Sequence, residues 1–424
     1  MIVPIVFFAL LTIGLPIGYV IGVAGVVGIL GMGPRFLAMA PERMFAGLDL
    51  FPFLAMPFFI LAGEIMNRSG ITLGLVRLAD ALVGWLRGGM AHSNMVASVL
   101  FAGITGSATA DAAAFGNTLV PAMEKAGYTR RFACAVTAAG SIIGPTIPPS
   151  TLAIIYGSIM GVSIAGLFAA GILPGLLICG ICMLVIAALG KRLDLPAGGP
   201  RPSFRIVLAA LREGWLGAVL PVFILGSILG GVATPTEAAS IAVAYALFVG
   251  GVVNRALSWR DLYLIGVRTT RITGVIFLII AAATILGWWM TFNRIPQAVA
   301  AGVLSISSDP AVILALILVL LLGIGLFMDI NASLIILAPV LAPLTLGIGM
   351  DPVHAGIVII LALNISLMTP PVGACLFVLA SVTGERVEAI SSALWPFILA
   401  EFAVLVLVAY WADLTLFIPR LLGL

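Results

Sequence analysis

The stretch Gly140-Ser141-Ile142-Ile143-Gly144-Pro145-Thr146-Ile147-Pro148-Pro149-Ser150 decides the fold. It lies in the middle of a hydrophobic segment long enough to cross a bilayer. Three prolines and a glycine cannot continue a helix there, because proline lacks the amide donor and clashes with the preceding turn. Backbone left unpaired at membrane depth is tolerated only where protein buries it or where it lines a wet cavity. The break therefore marks a binding site. Just upstream, Thr105-Gly106-Ser107-Ala108-Thr109-Ala110-Asp111 is a polar tip between two apolar runs.

Composition supports the membrane setting. The chain has 424 residues, 62% hydrophobic and 9% charged, with a mean hydropathy of +1.27. A soluble domain carries about 25% charged residues. The expected class is an all-α polytopic membrane protein. Cys134, Cys179, Cys182 and Cys375 all sit in apolar surroundings, and the histidines are His92 and His354. The Cys179–Cys182 spacing has no second cysteine pair or histidine cluster beside it, so a metal or redox centre is the weaker reading. No GxxxxGK[ST] motif is present to cradle ATP, and nothing points to nucleic acid. The N-terminus, Met1-Ile2-Val3-Pro4, has no basic n-region and reads as a retained span.

Apolar segments predict spans over 3–31, 51–67, 130–160 (broken at 144–149), 166–190, 215–230, 236–254, 271–291, 353–381 (broken at Thr369-Pro370-Pro371-Val372-Gly373) and 391–417. Segments 70–88, 206–213 and 294–308 read as interfacial helices. The runs 93–124 and 311–346 each hold two stretches too short to span, joined by a Gly/Ser/Asp-bearing tip. They read as re-entrant hairpins. Thr234-Pro235-Thr236-Glu237 reads as a helix start, with Thr234 as N-cap.

The two halves repeat. Pro371 lies 222 residues after Pro149, Asp329 lies 218 after Asp111, and Pro235 lies 219 after Pro16. The predicted organisation is a first repeat over 1–190 with hairpin 1 at 93–124. A linker and joining span follow over 191–235, then a second, inverted repeat over 236–424 with hairpin 2 at 311–346. Inverted repeats with discontinuous helices describe many secondary transporters, with substrate near the midplane. Placing loops on alternate sides puts 16 basic residues on one side and 4 on the other, out of 20. The rich side is expected to be cytoplasmic, which sets the N-terminus inside and the C-terminus outside.

The chemistry at the breaks follows from their backbone. Exposed carbonyls and hydroxyls are hard oxygen ligands suited to Na⁺, and helix N-termini suit a carboxylate. Thr105, Ser107, Thr109, Thr146 and Ser150 supply hydroxyls in the first half. Asn331, Ser333, Asn364, Ser366 and Thr369 supply polar groups in the second. Asp111 and Asp329 are carboxylates at membrane depth, and each either organises a site or caps a hairpin helix. An intramembrane aspartyl protease would want Tyr-Asp and Gly-x-Gly-Asp, whereas the contexts here are Thr-Ala-Asp111 and Phe-Met-Asp329, so enzyme chemistry is not expected. Glu64, Glu237 and Glu401 receive no role, and no arginine is expected to reach the site from within a span.

Residues 105–114, Gly144-Pro145-Thr146-Ile147-Pro148-Pro149-Ser150, Ala233-Thr234-Pro235-Thr236-Glu237-Ala238-Ala239 and Thr369-Pro370-Pro371-Val372-Gly373 together resemble the large membrane subunit of tripartite ATP-independent periplasmic (TRAP) transporters, the DctM-like family. The resemblance covers essentially the whole chain. Thr105 stands where the family commonly has serine, which keeps the hydroxyl. The resemblance implies an elevator-type secondary transporter in the bacterial inner membrane, with a transport domain (93–160 plus 311–381) sliding against a scaffold. It implies sodium coupling and no other cofactor. One sodium site would use Thr105, Gly106, Ser107, Gly144, Ile147 and Pro149. The other would use Gly325, Met328, Asp329, Met368, Thr369 and Pro370. The substrate, an organic acid anion, would lie near Thr109, Asp111, Thr146, Ser150 and Asn331. Dicarboxylates, keto acids, sugar acids and sialic acid are all compatible.

The implied partners are a small four-span (DctQ-like) subunit, expected as a separate chain, and a periplasmic substrate-binding (DctP-like) protein. The alternative reading is a stand-alone sodium–dicarboxylate or citrate-type symporter that needs no binding protein. A channel is disfavoured by the two opposed hairpins.

Overall fold

The computed structural model describes residues 2–199 and 201–424, and the regular structure among them is helical. The first half runs α1 (Ile2–Thr12), α2 (Ile17–Leu30), α3 (Met39–Leu48), α4 (Ala55–Arg68), α5 (Ile71–Val83), α6 (Gly89–Thr105), α7 (Ala108–Lys125), α8 (Arg130–Ser141), α9 (Thr151–Met160) and α10 (Ile164–Arg192). The second half runs α11 (Phe204–Leu229), α12 (Pro235–Phe248), α13 (Trp259–Phe292), α14 (Ile295–Ile306), α15 (Pro310–Gly325), α16 (Ile330–Gly347), α17 (Pro352–Ser366), α18 (Ala374–Thr383), α19 (Val387–Tyr410) and α20 (Asp413–Leu422).

Six of the described helices are long and apolar enough to cross a membrane, and the pair 34–48 and 51–68, bent by 65°, would make a seventh. The halves of the interrupted segments, α8 with α9 and α17 with α18, are individually shorter than a span. Both breaks fall where the prolines demand them, between Ser141 and Thr151 and between Ser366 and Ala374.

Several boundaries differ from the sequence reading. The expected span 3–31 is two helices. Gly14 takes a left-handed φ of 85° and Pro16 follows it, so the helix cannot run through. Residues 206–213 are not a separate interfacial helix; they open α11, whose Pro221 does not stop it. The expected span 391–417 is divided between α19 and α20 at Trp411. Helix α3 is an addition.

Helix pairing is reciprocal under the shift of about 219 residues. Helix α2 packs on α13, and the counterpart pair α12 and α4 also packs. Helix α7 packs on α18 as α16 packs on α9, and α8 packs on α19 as α17 packs on α10. The exchange is not complete: α4, for example, packs on hairpin arm α6, whereas α13 packs on α16. Close approach to the first break is permitted by two glycines of α10. A Cβ on Gly171 would lie 2.4 Å from the Thr146 carbonyl oxygen, and one on Gly175 would lie 2.2 Å from Ile147 Cγ1.

Helix α12 starts as its sequence predicts. The Thr234 hydroxyl accepts from the Glu237 amide at 3.3 Å, and the Glu237 carboxylate accepts from the Thr234 amide at 2.8 Å. This reciprocal box satisfies two donors that the first turn would leave unpaired, and it accounts for Glu237. Thr234→Ala should lower stability by about 1 kcal/mol, read as a lower melting temperature in detergent, with Thr234→Ser close to the parent. An unchanged melt for the alanine variant would contradict the cap.

Candidate functional site

Arms α6 and α7 turn on two residues, Gly106 and Ser107. Gly106 has a φ of 58°, a left-handed value that side chains resist. A Cβ there would stand 2.3 Å from the Pro149 carbonyl oxygen, so the hairpin tip lies directly on the far end of the first break. Asp111, one turn into α7, is fully buried. Its Oδ1 accepts a short hydrogen bond from the Thr105 hydroxyl. Its Oδ2 has no hydrogen-bond partner, and a Cβ on Gly144 would sit 2.1 Å from that oxygen. Thr105, Gly106, Asp111, Gly144 and Pro149 therefore converge. A buried carboxylate oxygen without a donor is rare and costly, and the oxygen groups beside it suit a cation.

The second tip is built differently. Gly325 closes α15 against α17, where a Cβ would lie 2.2 Å from Ser366 Oγ. Asp329 is exposed and caps α16, accepting from the Asn331 amide at 2.9 Å and the Ala332 amide at 3.2 Å. The two aspartates thus take different roles: Asp329 caps, whereas Asp111 is held inside. Met368 is buried, and the Thr369 hydroxyl donates to the Ile365 carbonyl at 2.8 Å.

A cavity of about 400 Å³ lies where the tips and breaks meet. Residues 105–110 of the first tip, 329–331 of the second, Pro145 and Thr151 of the first break and Leu367 and Ala374 of the second all line it. Of the residues expected to contact substrate, Thr109 and Asn331 are on its wall. Asp111, Thr146 and Ser150 are buried behind it. The Ser150 hydroxyl donates to the Pro145 carbonyl at 2.6 Å and caps α9. The Thr146 hydroxyl donates to the Ile142 carbonyl at 2.9 Å and accepts from Asn364 Nδ2 at 3.2 Å, which ties the first break to α17. Asn364 Oδ1, also buried, has no partner. The Ile147 side chain lies on Gly175 of α10. Ser107 lines the cavity, and its hydroxyl is 3.4 Å from that of Thr109. Gly325, Met328, Met368, Thr369 and Pro370 stand around the second tip and break without lining the cavity.

Among the lining residues given no role in the sequence are Glu64 and Asn67 on α4, and Arg271 on α13. Arg271 corrects the expectation that no arginine reaches the site. Helical spacing could have found them, because Ile60, Gly63, Glu64 and Asn67 share one face, as do Arg271, Ile272, Val275 and Ile276. Gly63 lets α4 approach the tip, since a Cβ there would be 3.1 Å from the Ile104 carbonyl oxygen. Glu401 is away from the cavity, buried between α19 and α10 with Cys182 Sγ 3.5 Å from its Oε1.

The family model described as "Tripartite ATP-independent periplasmic transporter, DctM component" matches residues 5–414. The sialic acid TRAP transporter large permease SiaM of Vibrio cholerae is 38% identical over 415 residues, covering 97% of this chain and 96% of its own. The C4-dicarboxylate TRAP transporter large permease DctM of Pseudomonas aeruginosa is 35% identical, covering 95% and 94%. The isethionate TRAP transporter permease DctMQ of Oleidesulfovibrio alaskensis is 37% identical over 97% of this chain but 65% of its own. Among solved structures, the Alcanivorax borkumensis YdaH transporter matches with a TM-score of 0.66 and 17% identity, over 90% of this chain and 89% of that one, which supports the fold alone. Helices, breaks and family match agree: the chain is a polytopic membrane protein that belongs to the DctM family, the large permease component of TRAP transporters of organic acids.

Proposed function

We propose that this chain couples the sodium gradient to uptake of an organic acid anion handed over by a periplasmic binding protein. The observation that carries the reading is the convergence of both tips and both breaks on one cavity of about 400 Å³, with the unpartnered Asp111 Oδ2 buried beside it. Sodium is cargo here. Asp111, with the hydroxyl of Thr105 and backbone of Gly106, Gly144 and Pro149, offers it an oxygen cage. Gly325, Asp329 and the Met368–Pro370 backbone are the second site's donors in this reading. Thr109 and Asn331 are the wall residues that meet the substrate.

The elevator division has support in the reciprocal packing. Helices α7 with α18 and α9 with α16 knit 93–160 and 311–381 into one block, while α2 with α13 and α4 with α12 form another. The cavity lies between α4 and α13 on one side and the hairpin tips on the other. Movement of the first block along the second would carry the site across the membrane. The small four-span subunit and the binding protein complete the assembly. The match covers 65% of the DctMQ relative's own length; a separate small subunit is our reading for this protein.

The energetics are adequate. One charge moving down 100 mV yields about 2.3 kcal/mol, and a tenfold gradient adds about 1.4. Two sodium ions accompanying a monovalent anion carry net positive charge inward, so uptake should respond to voltage as well as sodium.

Two variants test the site in vesicles holding the complete assembly, with labelled N-acetylneuraminate and succinate as probes. Asp111→Asn keeps the volume and removes the charge; sodium-driven uptake should fall by at least about tenfold, equivalent to about 1.4 kcal/mol, with insertion intact. Sodium-driven uptake by Asp111→Asn at the parent rate would refute the first site. Pro149→Ala restores an amide donor and removes the barrier to a continuous helix. It should impair uptake while inserting normally, and parental uptake would show that the break is dispensable.

A further inference from the structure

The cavity wall facing the hairpin tips carries two charged side chains, Glu64 of α4 and Arg271 of α13. Arg271 of α13 lines the cavity. One turn earlier, Arg268 lines an adjoining groove of about 450 Å³ that shares Glu64 and Asn67 with the cavity. The groove therefore continues the cavity outward along α4 and α13. Of the arginines on this path, two are engaged. Arg68 donates to Asp261 Oδ1 at 2.5 and 2.9 Å, and Arg268 Nε stands 3.2 Å from Glu64 Oε1. Arg271 has no hydrogen bond or ion pair among the described residues. A guanidinium offers five donors in a planar fork that matches a carboxylate, and one left without an anion beside a cavity is a ready anion contact.

The repeat shows what is special about this wall. Under the shift of 219 residues, Arg268 and Arg271 correspond to Asp49 and Pro52, and Glu64 and Asn67 to Ala283 and Leu286. Ala283 and Leu286 line an almost filled apolar crevice, of about 20 Å³, against Ile335 and Ile336 of α16. One end of the path is thus charged and open, and its counterpart is apolar and closed. The packing exception noted above has the same sense, with α13 on α16 but α4 on α6.

We propose that Arg271 is a carboxylate contact on the exit side, met by the anion only when the site faces this wall, and that the Glu64–Arg268 pair is the gate beyond it. The anion's carboxylate takes the free Arg271 fork first. It then competes with Glu64 for Arg268, and passing that pair leads to the open groove. The inference rests on the reading that the cavity carries an organic anion, and it adds the residues that draw the anion out.

The test measures the cavity's charge directly and needs no knowledge of the natural substrate. Ala110→Cys places a thiol on the cavity wall, and Val275→Cys places a second one a turn from Arg271 on α13. The four native cysteines are buried. Each variant, in the full chain, is modified with anionic (sulfonatoethyl) and cationic (trimethylammonioethyl) methanethiosulfonates, and the ratio of the two rates is divided by the same ratio for free 2-mercaptoethanol. The anionic reagent should be favoured on the order of fivefold, the effect of one unit charge roughly 8 Å away at the dielectric of water. Arg271→Gln should bring the ratio near one, Arg271→Lys should preserve it, and Glu64→Gln should raise it. An unchanged ratio in Arg271→Gln at both thiols would overturn the proposal. Failure of sodium-driven uptake with the ratio intact would count against the transport reading alone and leave the anion contact standing.

Discussion

Unpaired backbone inside a membrane has to be satisfied by protein or by a wet cavity, and this fold depends on how it meets that demand. The prolines at 148–149 and 370–371 each stop a helix in mid-segment. The first break is covered by α10, whose Gly171 and Gly175 let it come close, and by the first hairpin tip, whose Gly106 lies on the Pro149 carbonyl. At Gly171 and Gly106 the missing side chain lets backbone face backbone, and at Gly175 it makes room for the Ile147 side chain. Polar groups of the first tip, with Pro145 and Thr151 of the first break, line the cavity.

The same constraint explains why the two aspartates diverge. Asp329 meets a local need, capping α16 by accepting two amides. Asp111 has no such need, because it lies a turn inside α7, where amides are already paired. Its carboxylate keeps one oxygen on Thr105 and leaves the other facing Gly144. A buried charge of this kind persists only with a compensating partner. In the proposed function that partner is the cation, which would couple ion occupancy to the order of the tip.

Much of the fold was legible because helix breaks, caps and turns are local chemistry. The Pro-Pro breaks, the Thr234 cap and both tips fall where the residues require. The interruption at Gly14–Pro16 was equally local, and reading 3–31 as one span let hydropathy outweigh a glycine and a proline. The site was legible in part. Thr109 and Asn331 line the cavity, whereas Thr146 and Ser150 donate their hydroxyls to the Ile142 and Pro145 carbonyls, four and five residues back, a local bond that Ser and Thr commonly make and that the density of hydroxyls around the break masked. The α4 and α13 wall was missed for a different reason. Glu64 and Arg271 sit far apart in the chain, and only the reciprocal packing of the two halves brings them to one cavity.

The central claim is that the breaks and tips form sodium sites, and the most direct measurement is the melting temperature of the purified chain in sodium chloride against potassium chloride at equal ionic strength. A ligand that binds the folded state alone stabilises it by RT ln(1 + [L]/Kd). The account predicts a melting temperature that rises with sodium and not with potassium, and a response diminished in Asp111→Asn. Identical melting in the two salts across the concentration range would contradict it.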